Sequence, residues 1–476
     1  MTYLENSMKK SLILISTIFL TFSLFAQSDD DLFGGSDDDF FTDDSIVEVP
    51  DVSAKNDLSK GVIFNTGSIK VGGSLTAGLT TNTVLYSPDQ DDFGENLKNT
   101  KLTPDLSALL SVDARPTETL RIYTKFGLAY PFVDKVSGYY NAVAQPELIE
   151  FDEEGNPVFG VRTQTSITDW FKLKELFTDF SIKDTAFFRF GVHTVTWGAG
   201  YFFSPVSDMI NTSSIDPENP EKQVDGALNL RTQIIIPDSQ NCLWFYVIPS
   251  TKFEGQTAET YARDTAFAGK ADILIGNWEL GVGGFFKYQN APKVMLTATG
   301  SLKKVSFFGE FVYSYGAAKE WQENTDWDDK TNIIQATAGL SYYWKDPMIT
   351  LAAQYYFNGN NKDLEGYVIG GHNLAAMANF GKILGNKDFT ASLFAMVNFG
   401  REEFGDMELA AMKMMGADDS TISAISGTSL TSTAMIYYSP INDLKFGMGP
   451  VLTFKTFDEK PTLSMKLTAT LGGGKF

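Results

Sequence analysis

The sequence of 476 residues contains one cysteine and two histidines. Cys242 therefore has no intramolecular disulfide partner. His193 and His372 are too few for a histidine-rich metal site, and neither has a serine or cysteine at a spacing typical of a nucleophile. No phosphate-binding P-loop motif occurs. We therefore expect no enzymatic activity, no metal and no cofactor.

Long apolar runs are also lacking. No stretch of eighteen apolar residues occurs after residue 26, which excludes helical membrane spans. Before that point, Lys9 and Lys10 precede the apolar stretch Ser11–Phe25, an arrangement typical of a secretory signal. We assign residues 1–27 to a signal peptide. An exported chain without apolar helices enters a membrane only as a closed sheet, because lipid satisfies no backbone polar group.

Basic residues are outnumbered, with 38 Lys and Arg against 59 Asp and Glu and a formal net charge of −21. Nucleic acid is excluded as a partner, since its binding depends on clustered Lys and Arg. Ser28–Lys60 alone holds eleven acidic and two basic residues, a charge of −9. We interpret residues 28–66 as a low-complexity periplasmic segment that cannot bury a core. It is either a solvated tail or a tail whose Leu32-Phe33 and Phe40-Phe41 pairs dock a partner or the mouth of the following domain.

Glycine (41), phenylalanine (38) and tyrosine (19) are abundant, a composition that suits strands and tight turns. Residues 67–476 divide into about eighteen alternating segments, with sixteen as the other count. In one of them, Trp278, Leu280 and Val282 alternate with Glu279 and Gly281. The connections alternate between short turns and long loops, as in outer-membrane barrels. The predicted fold class is all-β, a closed antiparallel transmembrane β-barrel.

The stretch Phe187–Asn211 contains the most informative strand. Arg189, Gly191 and His193 share one face opposite an apolar face, so the first half predicts lipid on one side and water on the other. The alternation stops at Trp197, and we expect the loop from Trp197 to Gly226 to narrow the lumen. Its aromatic rings either guide solutes or belong to the interfacial girdle and the packing of the loop. The predicted constriction residues are Trp197, Tyr201, Phe202, Phe203 and Asp208.

Charged residues recur on the inward side of four neighbouring strands. In chain order the strands carry basic, acidic, basic and basic residues, and opposite charges on adjacent strands pair across a ladder. The charges either pair and stiffen the wall or leave a positive field that selects solutes. The fourth strand also carries Asn229 and Gln233. The predicted pore-lining residues are Arg121, Lys125, Glu175, Asp179, Arg189, His193 and Arg231.

One motif resembles porin-like outer-membrane families, among them uncharacterised large barrels and alginate-export-type porins. In these families an Arg-x-Gly strand runs into Trp-Gly and then into a loop with Pro, Asp and Asn. The resemblance implies a barrel with a channel function. It is carried by Arg189-Phe190-Gly191-Val192-His193, Trp197-Gly198, Pro205, Asp208 and Asn211.

The sequence thus predicts an exported outer-membrane channel for passive or facilitated diffusion of small solutes. The partners expected are outer-membrane lipid, the solute itself and the barrel-assembly machinery. That machinery would bind the final strand, which is followed by Gly472-Gly473-Gly474-Lys475 and the terminal aromatic Phe476. The oligomeric state stays open. The alternative function is a surface adhesin or structural barrel that binds host or matrix ligands through the long loops Pro131–Phe171 and Gly400–Ser429.

Overall fold

The computed structural model describes residues 64–65, 68–88, 93–98, 100–130, 147–151, 157–160, 171–183, 185–220, 222–251, 257–360, 370–399, 428–441, 443–454 and 460–475. The predicted signal peptide 1–27, nearly all of the acidic segment 28–66 and Phe476 lie outside the described residues. So do most of Pro131–Phe171 and nearly all of Gly400–Ser429, the loops on which the adhesin alternative depends.

Eighteen antiparallel strands form one closed sheet, in which each strand pairs with its neighbours along the chain and the last pairs with the first. The predicted closed antiparallel transmembrane β-barrel of about eighteen strands is therefore confirmed. The strands are β1 Ile69–Tyr86, β2 Lys101–Thr117, β3 Leu120–Ala129, β4 Phe171–Ile182, β5 Ala186–His193, β6 Ala227–Ile235, β7 Cys242–Ile248, β8 Ala266–Ile275, β9 Trp278–Phe286, β10 Lys293–Leu302, β11 Val305–Tyr315, β12 Asn332–Trp344, β13 Ile349–Asn358, β14 Gly371–Phe380, β15 Phe389–Phe399, β16 Ser429–Ile441, β17 Leu444–Phe454 and β18 Thr462–Lys475.

Small elements accompany the barrel. A two-residue strand, Phe64–Asn65, pairs with the start of β1, and Glu147–Phe151 pairs with Pro157–Gly160 in a separate sheet. Within the described ranges, no helix is long and apolar enough to cross a membrane. The helical segments are α1 Phe93–Lys98, α2 Ala258–Asp264, α3 Ala318–Gln322 and the 3₁₀ turns Ser207–Met209 and Trp327–Asp329.

The outer face of the wall is apolar because successive side chains point to opposite faces of a strand. On β9, the exposed Leu280 and Val282 point outward, whereas Gly281 between them is buried on the inner side. On β11, Phe311 and Tyr313 point outward, whereas Glu310 is buried on the inner side. A closed sheet with an apolar exterior leaves no unpaired strand edge in lipid.

The two rims of the barrel differ in the length of their connections. Short turns join β2 to β3, β8 to β9 and β10 to β11, whereas residues 87–100, 194–226 and 316–331 are long connections on the opposite rim. The chain enters β1 and leaves β18 on the short-turn rim, since Ser74 pairs with Lys475 near the strand ends. This is the predicted asymmetry.

The last strand is longer than predicted. We expected it to stop near Leu471, before the run of glycines, but β18 continues to Lys475. A bulge between Ser74 and Thr76 absorbs the change of register, and Gly472 adopts a positive φ of 90° there. Such a φ suits glycine, which has no Cβ to clash with the backbone.

The end of β5 also differs from the prediction. The strand stops at His193 and not at Trp197, so the inward loop comprises residues 194–226. Beyond His193, the Asn211 side chain accepts from the Val195 N–H and donates to the Val195 carbonyl, both at 2.8 Å. These bonds take the place of a strand partner and direct the chain into the lumen.

Gly191 fixes the packing of β4 against β5. Its φ is 141°, and a Cβ built on it would lie 2.0 Å from the Leu176 carbonyl oxygen. We expect Gly191→Ala to destabilise the barrel by roughly 1–3 kcal/mol through backbone strain. The test is the urea midpoint of unfolding, followed by the heat-dependent mobility shift on gels. Gly78→Ala on β1 is the matched control, because its Cβ would meet no atom closer than 3.6 Å. Equal midpoints for both variants would contradict this packing.

Candidate functional site

The inward loop packs against the inner faces of strands that extend from β7, the neighbour of β6, around the wall to β15. Its first part buries apolar side chains in two clusters. In the first cluster, Val195, Trp197, Val206 and Ile210 meet Tyr246 of β7, Ala268 of β8, Met295 of β10 and Val312 of β11. In the second, Phe202 and Phe203 meet Ala352 and Tyr356 of β13, Ala375 of β14 and Phe394 of β15.

One carboxylate on the wall holds the first part of this loop. Glu310 Oε1 accepts from the backbone N–H groups of Ala199 and Gly200, both at 2.6 Å, and from Ser204 Oγ at 2.8 Å. Its Oε2 accepts from the Val206 N–H at 2.8 Å. Four donors converge on the two oxygens of one side chain, so release of this segment would break four hydrogen bonds together.

Gln354 on β13 holds the next turn of the loop. Its Oε1 lies within reach of the N–H groups of Tyr201, Phe202 and Phe203, at 3.0, 2.6 and 3.3 Å. Its Nε2 donates to the Phe203 carbonyl at 2.7 Å and to Thr337 Oγ1 at 2.5 Å. The side chain thus satisfies backbone groups that would otherwise be buried without partners.

Bonds within the loop and to β8 set its shape. Trp197 Nε1 donates to the Val206 carbonyl at 2.8 Å and closes residues 197–206 into a compact turn. Lys270 Nζ donates to the Trp197 carbonyl at 2.7 Å and also lies 3.0 Å from Asp272 Oδ1. We call residues 197–206 the head of the loop.

The burial of the aromatic residues in the head indicates whether their rings guide solutes or pack the loop against the wall. Phe202, Trp197 and Phe203 are 0 %, 5 % and 6 % exposed, and the Phe203 ring stacks on Tyr356 with 5.2 Å between centroids. Tyr201 is only half-buried. Rings packed against the wall offer little face to a passing solute, so the geometry favours packing over a track of aromatic rings.

Asp208 follows the head of the loop in the sequence and lies near two charged residues of the wall, Lys293 on β10 and Glu310 on β11. Burial raises the pKa of this carboxyl to about 7, and the nearby Glu310 acts in the same direction. A hydrogen bond from Ser214 and the charge of Lys293 oppose the shift. One carboxyl oxygen, Oδ1, is buried and has no hydrogen-bond partner among the residues that the structure describes. A proton on Asp208 therefore favours the packed loop.

The predicted charges on β3, β4, β5 and β6 form a continuous row across the inner wall. Asp179 pairs in register with Arg121 on one side and Arg189 on the other, and Arg189 is followed by Arg231. Arg189 contacts Asp179 through two bonds, Nε–Oδ1 at 2.6 Å and Nη2–Oδ2 at 3.0 Å. Arg121 lies 3.6 Å from Asp179 and donates to Asp113 Oδ1 at 3.0 Å. Opposite charges therefore alternate along most of the row.

The remaining predicted wall residues lie beside this row, nearer the long-loop rim. Lys125 pairs in register with Glu175, and its Nζ donates to Gln223 Oε1 of the inward loop at 2.7 Å. His193 is fully buried at the end of β5, with Nδ1 3.3 Å from the Gly191 carbonyl oxygen. Its Nε2 has no hydrogen-bond partner among the described residues.

Sequence reasoning missed the wall residues that hold the loop, Glu310, Gln354 and Lys270. Each occupies an inward position of a correctly predicted strand, so the alternation contained the signal. A polar residue surrounded by inward apolar ones, as Glu310 is by Phe308 and Val312, indicates a buried partner. Nothing local identifies that partner, because it lies about one hundred residues away in the chain.

No protein-family model matches the sequence, and no curated protein matches it. Among solved structures, OpdO of Pseudomonas aeruginosa is 8 % identical in sequence. The alignment covers 87 % of this chain and 99 % of the OpdO chain, with a TM-score of 0.48. A BenF-like porin from Pseudomonas fluorescens Pf-5 is 8 % identical over 85 % and 98 %, with a TM-score of 0.47. OccK9 of Pseudomonas aeruginosa is 10 % identical over 84 % and 98 %, with a TM-score of 0.46. Structural similarity at such low sequence identity does not identify a solute for this chain.

Glu310→Gln is expected to loosen the head without unfolding the wall. The amide loses the negative charge and one acceptor, which we expect to cost roughly 2–4 kcal/mol in local hydrogen bonding. Hydrogen exchange of the amides in residues 199–206 should accelerate at least roughly tenfold. Glu279→Gln is the matched control, an exposed inner-face carboxylate on the neighbouring wall. Unchanged protection of 199–206 in Glu310→Gln would contradict the anchoring role.

Asp208 predicts a pH dependence of the loop. Asp208 binds its proton more tightly in the packed loop than in a released loop. The stability of the packed loop therefore falls as the pH rises from about 4 through about 7. Brief current fluctuations in a planar bilayer should therefore be more frequent at pH 8 than at pH 5. Asp208→Asn should show the same frequency at both values. A pH effect of equal size in that variant would exclude Asp208 as its source.

Proposed function

We propose that this chain is an outer-membrane channel through which small solutes diffuse, along the inner face of β1–β4 and β17–β18. The observation that carries the proposal is exposure inside a closed wall. Arg121 and Asp113 each keep 19 % of the side chain accessible, although they lie on the inner face of β3 and β2. Lys466 on β18 keeps 30 %. A lumen filled by side chains would bury these groups.

The head of the loop determines which part of the lumen carries solutes. It covers the inner faces of β7, β8, β10, β11 and β13–β15 with packed side chains. The remaining passage lies against the opposite arc, where the charged row begins. This supports a narrowed path past Arg121 and Asp179 and not a wide, uniform pore.

The path favours anions. Arg115, Arg121 and Arg189 pair with two carboxylates, Asp113 and Asp179, and Arg231 adds a further positive charge opposite Arg189. In a narrow lumen with low-dielectric walls, the excess positive charge raises the local concentration of anionic solutes. The motif that resembles alginate-export-type porins supplies Arg189 to the row and Trp197 to the loop.

The final strand supports a second part of the proposal, recognition by the barrel-assembly machinery. β18 runs to Lys475, one residue before Phe476. An apolar, alternating strand at the end of the chain is the form in which such a signal is expected. Here Leu467 and Leu471 are exposed on the outer face.

The channel itself is tested by reconstituting the refolded mature chain in a planar bilayer and recording single-channel current at both polarities. Stepwise conductance is the expected result. A folded barrel that inserts but never conducts would overturn the proposal and favour the adhesin alternative.

The charge preference is tested with Arg189→Ala/Arg231→Ala. Losing two inner-wall charges should shift the reversal potential in a salt gradient toward cations, because the arginines of the row then no longer outnumber Asp113 and Asp179. Lys303→Ala/Lys304→Ala removes the same charge from the exposed turn between β10 and β11 and should leave the potential nearly unchanged. An equal shift in both double variants would show that net charge, and not the row, sets the preference.

A further inference from the structure

The second part of the inward loop is held differently from its head. Residues 212–226, which we call the return arm, touch the wall through ion pairs and polar bonds. Asp225 meets Lys172 Nζ at 2.5 Å through Oδ2 and Lys174 Nζ at 2.9 Å through Oδ1. Glu218 Oε1 lies 3.2 Å from Lys466 Nζ on β18. The arm is therefore held to β4 and to β18 by charged contacts.

Lys172 and Lys174 converge because β4 is irregular. The register between β3 and β4 shifts at Lys125 and Phe126, which leaves Lys174 as an extra residue between Leu173 and Glu175. Lys174 then shares the inner face with Lys172, and its side chain lies along Gly127, the register partner of Lys172. A bulge re-aims side chains in this way. Two ammonium groups thereby point at the same volume of the lumen.

The Asp225 carboxylate contacts these lysines from a point where hydrogen bonds join the two ends of the return arm. The Asp225 carbonyl accepts from the Thr212 N–H at 2.9 Å and from Thr212 Oγ1 at 3.0 Å, and the Asp225 N–H donates to Ser213 Oγ at 2.8 Å. Burial alone would raise the pKa of Asp225, but the bonds and charges of Lys172 and Lys174 hold it below its ordinary value. The carboxylate is therefore ionised and well positioned.

These contacts are accessible to water and to solutes. The side chains of Lys172 and Lys174 are 56 % and 25 % exposed, and that of Asp225 is 27 % exposed. Ion pairs in such positions are weak and screened by salt. Glu310, in contrast, is buried under the head and inaccessible to a competing anion. Another carboxylate can thus replace Asp225 while the head stays in place.

We propose that Lys172 and Lys174 form a carboxylate-binding subsite near the long-loop mouth of the lumen, which Asp225 fills as an internal competitor until a carboxylate solute displaces it and frees the return arm. The subsite deepens the proposed channel function by naming small organic acids as the solute class. Its occupancy can nevertheless be measured without any conduction.

The test compares the full mature chain with Asp225→Asn, using succinate as the probe and calorimetric titration in detergent micelles. Removing the internal carboxylate should tighten apparent succinate binding roughly three- to tenfold, as expected for the loss of two exposed ion pairs. Asp216→Asn is the matched control. It removes the same charge from the same arm, but the Asp216 carboxylate accepts from the Glu218 N–H within the arm and not from Lys172 or Lys174. Lys172→Ala/Lys174→Ala should abolish this binding while the heat-dependent mobility shift on gels reports an intact barrel.

Two results would overturn the subsite: Asp225→Asn binding succinate no more tightly than Asp216→Asn, or the double lysine variant binding it as the unaltered chain does. Planar-bilayer recordings keep this outcome separate from the channel proposal. A chain that conducts but shows neither effect loses the subsite alone. A chain that shows both effects but never conducts keeps the subsite and loses the channel.

Discussion

The bonding of Glu310 is the constraint on which the interior of this barrel depends. A carboxylate buried on the inner face of β11 is costly unless it accepts hydrogen bonds. A loop segment packed flat against a wall is equally costly unless its N–H groups find acceptors. The loop supplies the donors that the carboxylate needs, and the carboxylate supplies the acceptor that the loop needs, because Ala199, Gly200 and Val206 all donate to Glu310. The positions of Trp197 and Phe202 then follow from where the backbone is held.

The same loop is divided into two regions of different stability. The head has buried apolar clusters and hydrogen bonds to the Glu310 carboxyl group and the Gln354 amide, so its release exposes apolar area and breaks several bonds together. The return arm has ion pairs in water, whose release costs little. Local opening free energies follow such differences in burial. A rigid narrowing and a movable arm can therefore coexist within 33 consecutive residues, 194–226, because they use different interactions.

Alternation predicted the wall because a barrel strand repeats every two residues, and lipid imposes one chemistry on every outward position. The inner charges on β3 to β6 were predictable for the same reason. Lys172 and Lys174 were not grouped with them, because the alternation that begins at Glu175 is broken by the bulge at Lys174, and β4 was expected to start only at Glu175. The end of β5 was misplaced because Asn211, eighteen residues beyond His193, supplies the bonds that replace a strand partner. The two-residue alternation of a strand carries no information about contacts between segments that are distant in the sequence.

The charged row is explained only in part by wall stability. Asp113, Arg121, Asp179 and Arg189 alternate in sign, so mutual pairing accounts for their placement. Arg231 breaks the pattern, because its register partner on β5 is Arg189 and like charges opposite each other are destabilising. The Arg231 guanidinium lies 5.6 Å from the centroid of the Trp244 ring, a contact that offsets some of this repulsion without neutralising the charge. A wall shaped for stiffness alone would place a carboxylate or an amide at this position. Mutual pairing thus accounts for the alternating part of the row, and the preference for anions proposed above gives a reason for a second arginine opposite Arg189.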